Sequence, residues 1–343
     1  MTGQTSTAAE PDQAASTAPA EPPRQRSPRE RITRVSWIWI LLVQVILLIV
    51  FSIMKPGEFA TADNFRNIAA DASILLVLGI GMTFVIITAG IDLSVGSVLV
   101  FSGVIAAKAM ADLDFPPLLG LLVAVLAGTL WGILNGVLVA KANVPALIVT
   151  LGTLGMALGA SQLITDGVDV PAVDSQLLSD IGFGRVFGQI PNLVLIAAAV
   201  AAFGIVTLSM TRFGRYTLAV GSNPEAARRA GINVDRHLIK VYGLMGVLAG
   251  FAGFLNLARF SSTTIAGHAT DNLQAIAGVV LGGTSLFGGI GSAVGTVIGV
   301  LIPVTLQYGF VVIGVQPFWQ TVAVGAVLIL AVYFDQLRRS KRQ

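Results

Sequence analysis

Charged side chains are scarce in this chain: 11% of its 343 residues, against 55% that are hydrophobic, with a mean hydropathy of +0.83. A soluble domain carries about a quarter charged residues, so the polar side chains needed for a water-facing surface are missing. From Asn272 to Phe334 there is no Asp, Glu, Lys, Arg or His at all. Cysteine is absent, which excludes a disulfide framework, thiolate chemistry and thiolate metal sites. The two histidines, His237 and His268, are far apart, so no histidine-rich metal site is expected. No Gly-x-x-x-x-Gly-Lys-[Ser/Thr] sequence occurs, and none of the five lysines follows a glycine. The chain therefore has no P-loop in which to cradle nucleotide phosphates. The formal charge of +3 does not point to nucleic acid, because most basic residues cluster beside apolar segments.

Apolar length is what the chain does have. A bilayer core of about 30 Å needs roughly 20 helical residues. Ten spans fit: about 35–54, 73–89, 94–110, 117–139, 145–164, 191–210, 238–257, 273–287, 290–312 and 317–334. The expected fold class is an all-α polytopic membrane protein of about ten transmembrane helices, held among membrane lipids. One helix from Ile74 to Met110 would run about 55 Å, so the chain must break between them. Ala89-Gly-Ile-Asp-Leu-Ser-Val-Gly96 supplies the breakers. Spans 73–89 and 273–287 are short enough to be re-entrant. Gly128, Gly132 and Gly136 form a small-residue ladder that Gly291, Gly295 and Gly299 repeat five spans later. Either an inverted internal repeat or generic close helix packing accounts for the pair.

Loop charges set the expected orientation. Residues 1–34 read as a disordered cytoplasmic tail, rich in Ala, Thr, Ser, Pro and Gln and ending in five arginines. This leader is too long and polar for a cleaved signal peptide. The transmembrane domain is placed at 35–334 and a basic cytoplasmic tail at 335–343. Lys141 and the arginine-bearing loop 211–237 share the inner side with both termini, while the acidic loop at about 165–190 faces out.

That inner loop carries a helix signal. Asn223 or Ser222 suits the N-cap, Pro224 the first helical position, Glu225 the positive helix start and Gly231 the C′ stop. A helix of about two turns is too short to stand alone in water. It is either a capped connector or a docking element for a partner.

Around it, Gly221-Ser-Asn-Pro-Glu-Ala-Ala-Arg-Arg-Ala-Gly-Ile-Asn-Val resembles the coupling loop of ATP-binding-cassette importer permeases, in their ribose-type (monosaccharide) branch of the branched-chain amino acid/ribose permease superfamily. Ala89-Gly-Ile-Asp-Leu-Ser-Val-Gly-Ser and Ala275-Ile-Ala-Gly-Val-Val-Leu-Gly-Gly-Thr-Ser-Leu-Phe-Gly-Gly-Ile-Gly resemble that branch's N- and C-terminal signatures. The resemblance runs in order from about residue 37 to 335. It implies a permease subunit, not an enzyme, in a bacterial inner membrane, paired with a second permease subunit as a homodimer or pseudo-dimer. It further implies two cytoplasmic ATPase subunits that use ATP and Mg, with no cofactor on this chain, and an external solute-binding protein. The expected solute is a monosaccharide or related polyol. Branched-chain amino acids or nucleosides are the alternative within the superfamily, and a proton-coupled secondary carrier or a membrane scaffold lies outside it.

Three groups of residues follow as candidates. Asn223, Pro224, Glu225, Ala226, Ala227, Arg228, Arg229 and Gly231 form the ATPase-coupling helix that the resemblance implies. Gly90, Asp92, Ser94, Gly96, Asn135, Thr284 and Ser285 mark a helix break or solute path. There Asp92 is read either as a cap for exposed backbone N–H groups or as a proton-coupling acid. Arg259, His268 and Asp271 lie in the expected outer loop, either as simple hydrated residues or as a docking point for the binding protein. The permeases of this branch commonly carry two acids just before the Ala-Ile stretch. Here Asp271 is displaced and Gln274 stands in the second position.

Overall fold

The computed structural model describes Gly3 and residues 36–340; the N-terminal tail expected at 1–34 and the last three residues lie outside the described part. Within 36–340 the chain is built of helices joined by loops and turns, with one two-stranded hairpin. The helices are α1 Ser36–Met54, α2 Ala62–Ile87, α3 Val95–Asp112, α4 Pro117–Ala140, α5 Ala146–Thr165, α6 Gln176–Gly182, α7 Asn192–Met210, α8 Arg212–Ser222, α9 Pro224–Arg229, α10 Val234–Phe260, α11 Asp271–Leu281, α12 Ala293–Gly299, α13 Leu301–Val312 and α14 Pro317–Ser340. The hairpin pairs β1 Arg185–Val186 with β2 Ile190–Pro191. Seven segments are long and apolar enough to cross a membrane, and three shorter apolar helices occupy the remaining expected spans. The chain is a multi-pass membrane protein.

The two spans too short to settle from sequence differ in kind. α2 starts at Ala62, not near 73, because Thr61 caps it by accepting a hydrogen bond from the Asn64 amide at 3.2 Å. At 26 residues α2 is about 39 Å long and crosses whole. α11 has 11 residues, about 16 Å, which is half a bilayer core. The remainder of the span expected at 273–287 is a turn, with positive φ at Gly283, Gly288 and Gly289. The expected 290–312 span is two helices parted at Val300, and α14 continues as helix through 335–340.

α10 is the central helix, with α4, α3 and α2 packed around it. The α4 ladder lies on it backbone to backbone: a Cβ at Gly132 would come within 2.8 Å of the Gly246 Cα, and one at Gly136 within 2.8 Å of the Ile239 Cα. Without a side chain between them, the two helices gain close van der Waals contact. The second ladder meets a different partner. Gly295 and Gly299 abut the backbone of Gly282 and Gly278 at the end of α11.

The break between α2 and α3 is non-helical backbone buried inside the fold. Gly90 lies beside the Tyr242 hydroxyl, and Asp92, Ser94 and Val95 reach Met245, Gly246 and Ala249 in the middle of α10, where the His268 carbonyl covers Gly96. Non-helical backbone at membrane depth has to be satisfied by the protein. The Gly90 amide donates to the Val85 carbonyl at 3.1 Å, and the Ser94 amide to Asp92 Oδ1 at 2.9 Å. Thr150 Oγ1 donates to the Ile91 carbonyl at 3.2 Å, and Asn272 Nδ2 to the Leu93 carbonyl at 3.0 Å.

Candidate functional site

At one end of the bundle, α9 projects between α8 and α10. Asn223 is its N-cap, with Oδ1 accepting from the Ala226 amide at 2.9 Å, and Pro224 opens the helix. The helix stops at Ala230 because Gly231 turns left-handed at φ +86°. The Gly231 amide then donates to the Arg228 carbonyl and the Ile232 amide to the Ala227 carbonyl, both at 3.0 Å, closing a Schellman motif. Ala227 is buried against Val220, Val234, Ile232 and Leu238. The opposite face carries Glu225, Arg228 and Arg229, whose side chains are 73%, 53% and 85% exposed. Arg228 pairs with Asp235 at 2.8 Å, and Glu225 only loosely with Arg229 at 3.9 Å. Ala226 completes the exposed turn.

The residues just before this helix bring the three sequence signatures to one point. Gly221, at the end of α8, abuts the Ile87 carbonyl at the end of α2 and lies by Gly289 in the α11–α12 turn. The Gly289 amide donates to the same Ile87 carbonyl at 2.9 Å. A Cβ on Gly288 would stand 2.8 Å from the Gly221 carbonyl oxygen and 2.9 Å from the Ala89 Cβ. Thr284 and Ser285 shape the same turn: Thr284 Oγ1 accepts from the Ser292 amide at 3.3 Å, and the Ser285 amide donates to the Ile290 carbonyl at 3.0 Å. Sequence spacing alone does not reveal this meeting of residues 87–89, 221–222 and 288–289.

Asp92, Ser94 and Asn135 form a second cluster, 2%, 0% and 1% exposed. Asp92 Oδ1 accepts from the Ser94 amide and from Ser94 Oγ at 2.6 Å, and Asn135 Nδ2 donates to Ser94 Oγ at 2.9 Å. Asp92 thus satisfies the amide that opens α3, while Ser94 itself makes no capping bond. Gly96 follows directly and packs under the 268–272 backbone.

The opposite end holds a cavity of about 370 Å³ between α2, α10, α11, α13 and α14. His268 and Asp271 line it, whereas Arg259 braces its wall. Of the two sequence readings, simple hydrated residue or docking point, the first does not hold for either Arg259 or His268, whose side chains are largely buried. α10 runs to Phe260, beyond the expected end at 257, so Arg259 sits on its last turn with a side chain 15% exposed. Its Nε donates to Asp71 Oδ1 at 2.9 Å and its Nη2 to Asn67 Oδ1 at 3.1 Å. Tyr308 of α13 donates to the other Asp71 oxygen at 2.5 Å. His268, with a side chain 10% exposed, bridges Asp271 through Nδ1 and Thr264 through Nε2, each at 2.6 Å. Asp71, Tyr308, Asn256 and Gln320 are the residues of this site that sequence reasoning missed. The available signal at Asp71 is an acid directly before a long uncharged apolar run, and it falls just outside the span expected to begin at 73.

A bundle of seven membrane-length helices and three shorter apolar ones, with an exposed capped helix at one end and a polar cavity at the other, defines a polytopic α-helical membrane protein. Comparison with known proteins makes the class specific. The chain belongs to the family described as "branched-chain amino acid transport system / permease component", whose model matches residues 64–332. It is 38% identical over 301 residues to the ribose import permease protein of Haemophilus influenzae, an alignment covering 87% of this chain and 92% of that protein. The fructose import permease protein of Rhizobium meliloti is 37% identical, with 86% and 84% covered. The galactose/methyl galactoside import permease protein of Escherichia coli K12 is 32% identical, with 89% and 95% covered. These relatives are named as permeases, not as enzymes. No solved structure matches the chain significantly.

Proposed function

We propose that this chain is the membrane-spanning permease subunit of an ATP-binding-cassette importer that translocates a monosaccharide. The observation that carries the reading is the convergence of residues 87–89, 221–222 and 288–289 immediately before the exposed α9 helix. A force applied to α9 reaches the ends of α2 and of the α11–α12 turn through close contacts made mainly by backbone, with only the short Ala89 and Ser222 side chains among them. In this mechanism two ATPase subunits, holding ATP and Mg, grip α9 through Glu225, Arg228 and Arg229. Their closure shifts the α2 end and the non-helical 88–94 segment, and the pore formed with a second permease subunit alternates its opening. A solute-binding protein delivers sugar to the cavity end, where His268 and Asp271 lie. The chain resides in a bacterial inner membrane with both termini and α9 in the cytoplasm. Ribose, fructose and galactose relatives support a monosaccharide over the amino acid in the family's name.

The test is reconstitution of the permease with its ATPase and binding protein in liposomes. ATP should drive uptake of a pentose or hexose and not of leucine. Uptake that persists without ATP or the ATPase subunit would favour a proton-coupled carrier and overturn the proposal.

A further inference from the structure

We infer that the outer cavity is itself a binding subsite for a neutral polyhydroxylated solute of monosaccharide size, so that the permease reads hydroxyl groups on its own account. This rests on the permease reading above and adds a site to it. The cavity, at about 370 Å³, is in the range of small-molecule sites. Four carboxamides line it: Asn256, Gln274, Gln307 and Gln320. Each carboxamide offers a donor and an acceptor side by side, as each sugar hydroxyl does, so the two groups pair reciprocally.

Two of the carboxamides are oriented in advance. Asn256, 3% exposed, donates through Nδ2 to Thr264 Oγ1 at 3.0 Å, and its buried Oδ1 has no partner among the described residues. Gln274 donates to Thr270 Oγ1 at 3.2 Å. The side chains of Gln307 and Gln320 make no hydrogen bond to other described residues and are free to take a solute. Phe260 and Phe310 add apolar faces on which the C–H side of a pyranose or furanose ring can rest.

The acidic groups of the cavity are all answered. Asp71 is taken by Arg259 at 2.9 Å and Tyr308 at 2.5 Å, and Asp271 by His268 at 2.6 Å. Among the described residues lining it, each aspartate already accepts hydrogen bonds from a protein partner, so none is left unpaired to meet the ammonium of an amino acid, and the Arg259 guanidinium is engaged by Asp71 and Asn67. A charged solute would enter this site without a counter-ion, at a desolvation cost. A neutral polyol has no such cost. Gln274, one turn after Asp271 on α11, adds hydrogen-bonding capacity to the cavity without adding a charge.

The experiment uses the purified permease–ATPase complex without binding protein, with D-ribose, D-galactose and leucine at millimolar concentration, read by saturation-transfer NMR. Sugar protons should receive saturation and leucine protons should not. Gln307→Leu with Gln320→Leu should weaken the sugar signal at least fivefold, and Gln320→Leu alone, at a side chain with no structural bond, should weaken it at least twofold. The Gln307→Asn/Gln320→Asn pair should retain more signal than the Leu pair. Undiminished sugar signals in the monodisperse Leu variants, or leucine saturated as strongly as sugar, would overturn the inference. ATP-driven uptake by the wild-type complex with binding protein is measured alongside. If sugar is imported but the NMR shows no contact, the subsite fails and the permease reading stands. If no sugar is imported under ATP, the permease reading fails.

Discussion

Asp71 shows how much a single residue holds at the outer end. Its two oxygens tie α10 through Arg259 and α13 through Tyr308 to α2. Removing one partner of a largely buried ion pair leaves the other charge uncompensated, which costs about 3–5 kcal/mol when burial is complete. With side chains 15% and 25% exposed, solvent screening reduces this to about 1–3 kcal/mol. Asp71→Asn and Arg259→Gln should each lower the melting temperature of the purified protein, and the double variant should lose less than the sum. A double-mutant cycle on thermal unfolding checks this, and additive losses would show that the pair does not couple. Glu225 is the contrasting case. Its contact with Arg229 is long and exposed, so Glu225→Ala should change stability by less than about 0.5 kcal/mol. ATP-driven uptake should nonetheless fall severalfold while ATP hydrolysis continues. Unchanged coupling in that variant would remove α9 from the mechanism.

At the scale of the element, α9 is a helix of six residues that cannot persist by itself. Its two ends and one buried alanine hold it. Asn223→Ala removes the N-cap bond and should cost about 1 kcal/mol. Gly231→Ala forces a Cβ into a left-handed turn, at a similar cost of about 1 kcal/mol. Either change should speed amide hydrogen exchange at 226–232 about fivefold, with little change in the middle of α10. Exchange that rose equally across α10 would mean that α9 does not unfold as a separate unit. Gly221→Val addresses the other link, because its side chain would overlap the Ile87 carbonyl. Uptake should be lost through separation of α8 from the α2 end, and the variant's amides at 85–90 should exchange faster.

For the whole molecule, the absence of cysteine makes topology directly measurable. Phe187, 93% exposed at the hairpin turn, and Arg229 on α9 lie on opposite sides in the orientation proposed. Single cysteines there should react with a membrane-impermeant maleimide from opposite faces, Phe187→Cys in intact cells and Arg229→Cys only in inverted vesicles. Labelling of both from one side would refute the ten-segment path. The arrangement also separates two tasks along α10. Its first turns sit beside α9 and the Gly221 contact, and its last turn forms the wall of the sugar-sized cavity, so one rigid element joins the two ends.

Scarcity of charge and the spacing of apolar runs determined the membrane class, the ten segments and the break after α2, because lipid allows few ways to satisfy a backbone. The α9 helix was legible down to its cap residues, since caps are local chemistry: Asn223, Pro224 and Gly231 act within one or two turns of where they stand. Sequence did not determine that half of the eighth span is a turn, because helix length in an uncharged glycine-rich stretch is set by which backbone packs against it. Nor did it reveal that Arg259 meets Asp71, 188 positions away, or that the Gly221, Ile87 and Gly289 backbones touch. Those partnerships depend on how the helices pack side by side, and only the tertiary structure decides that.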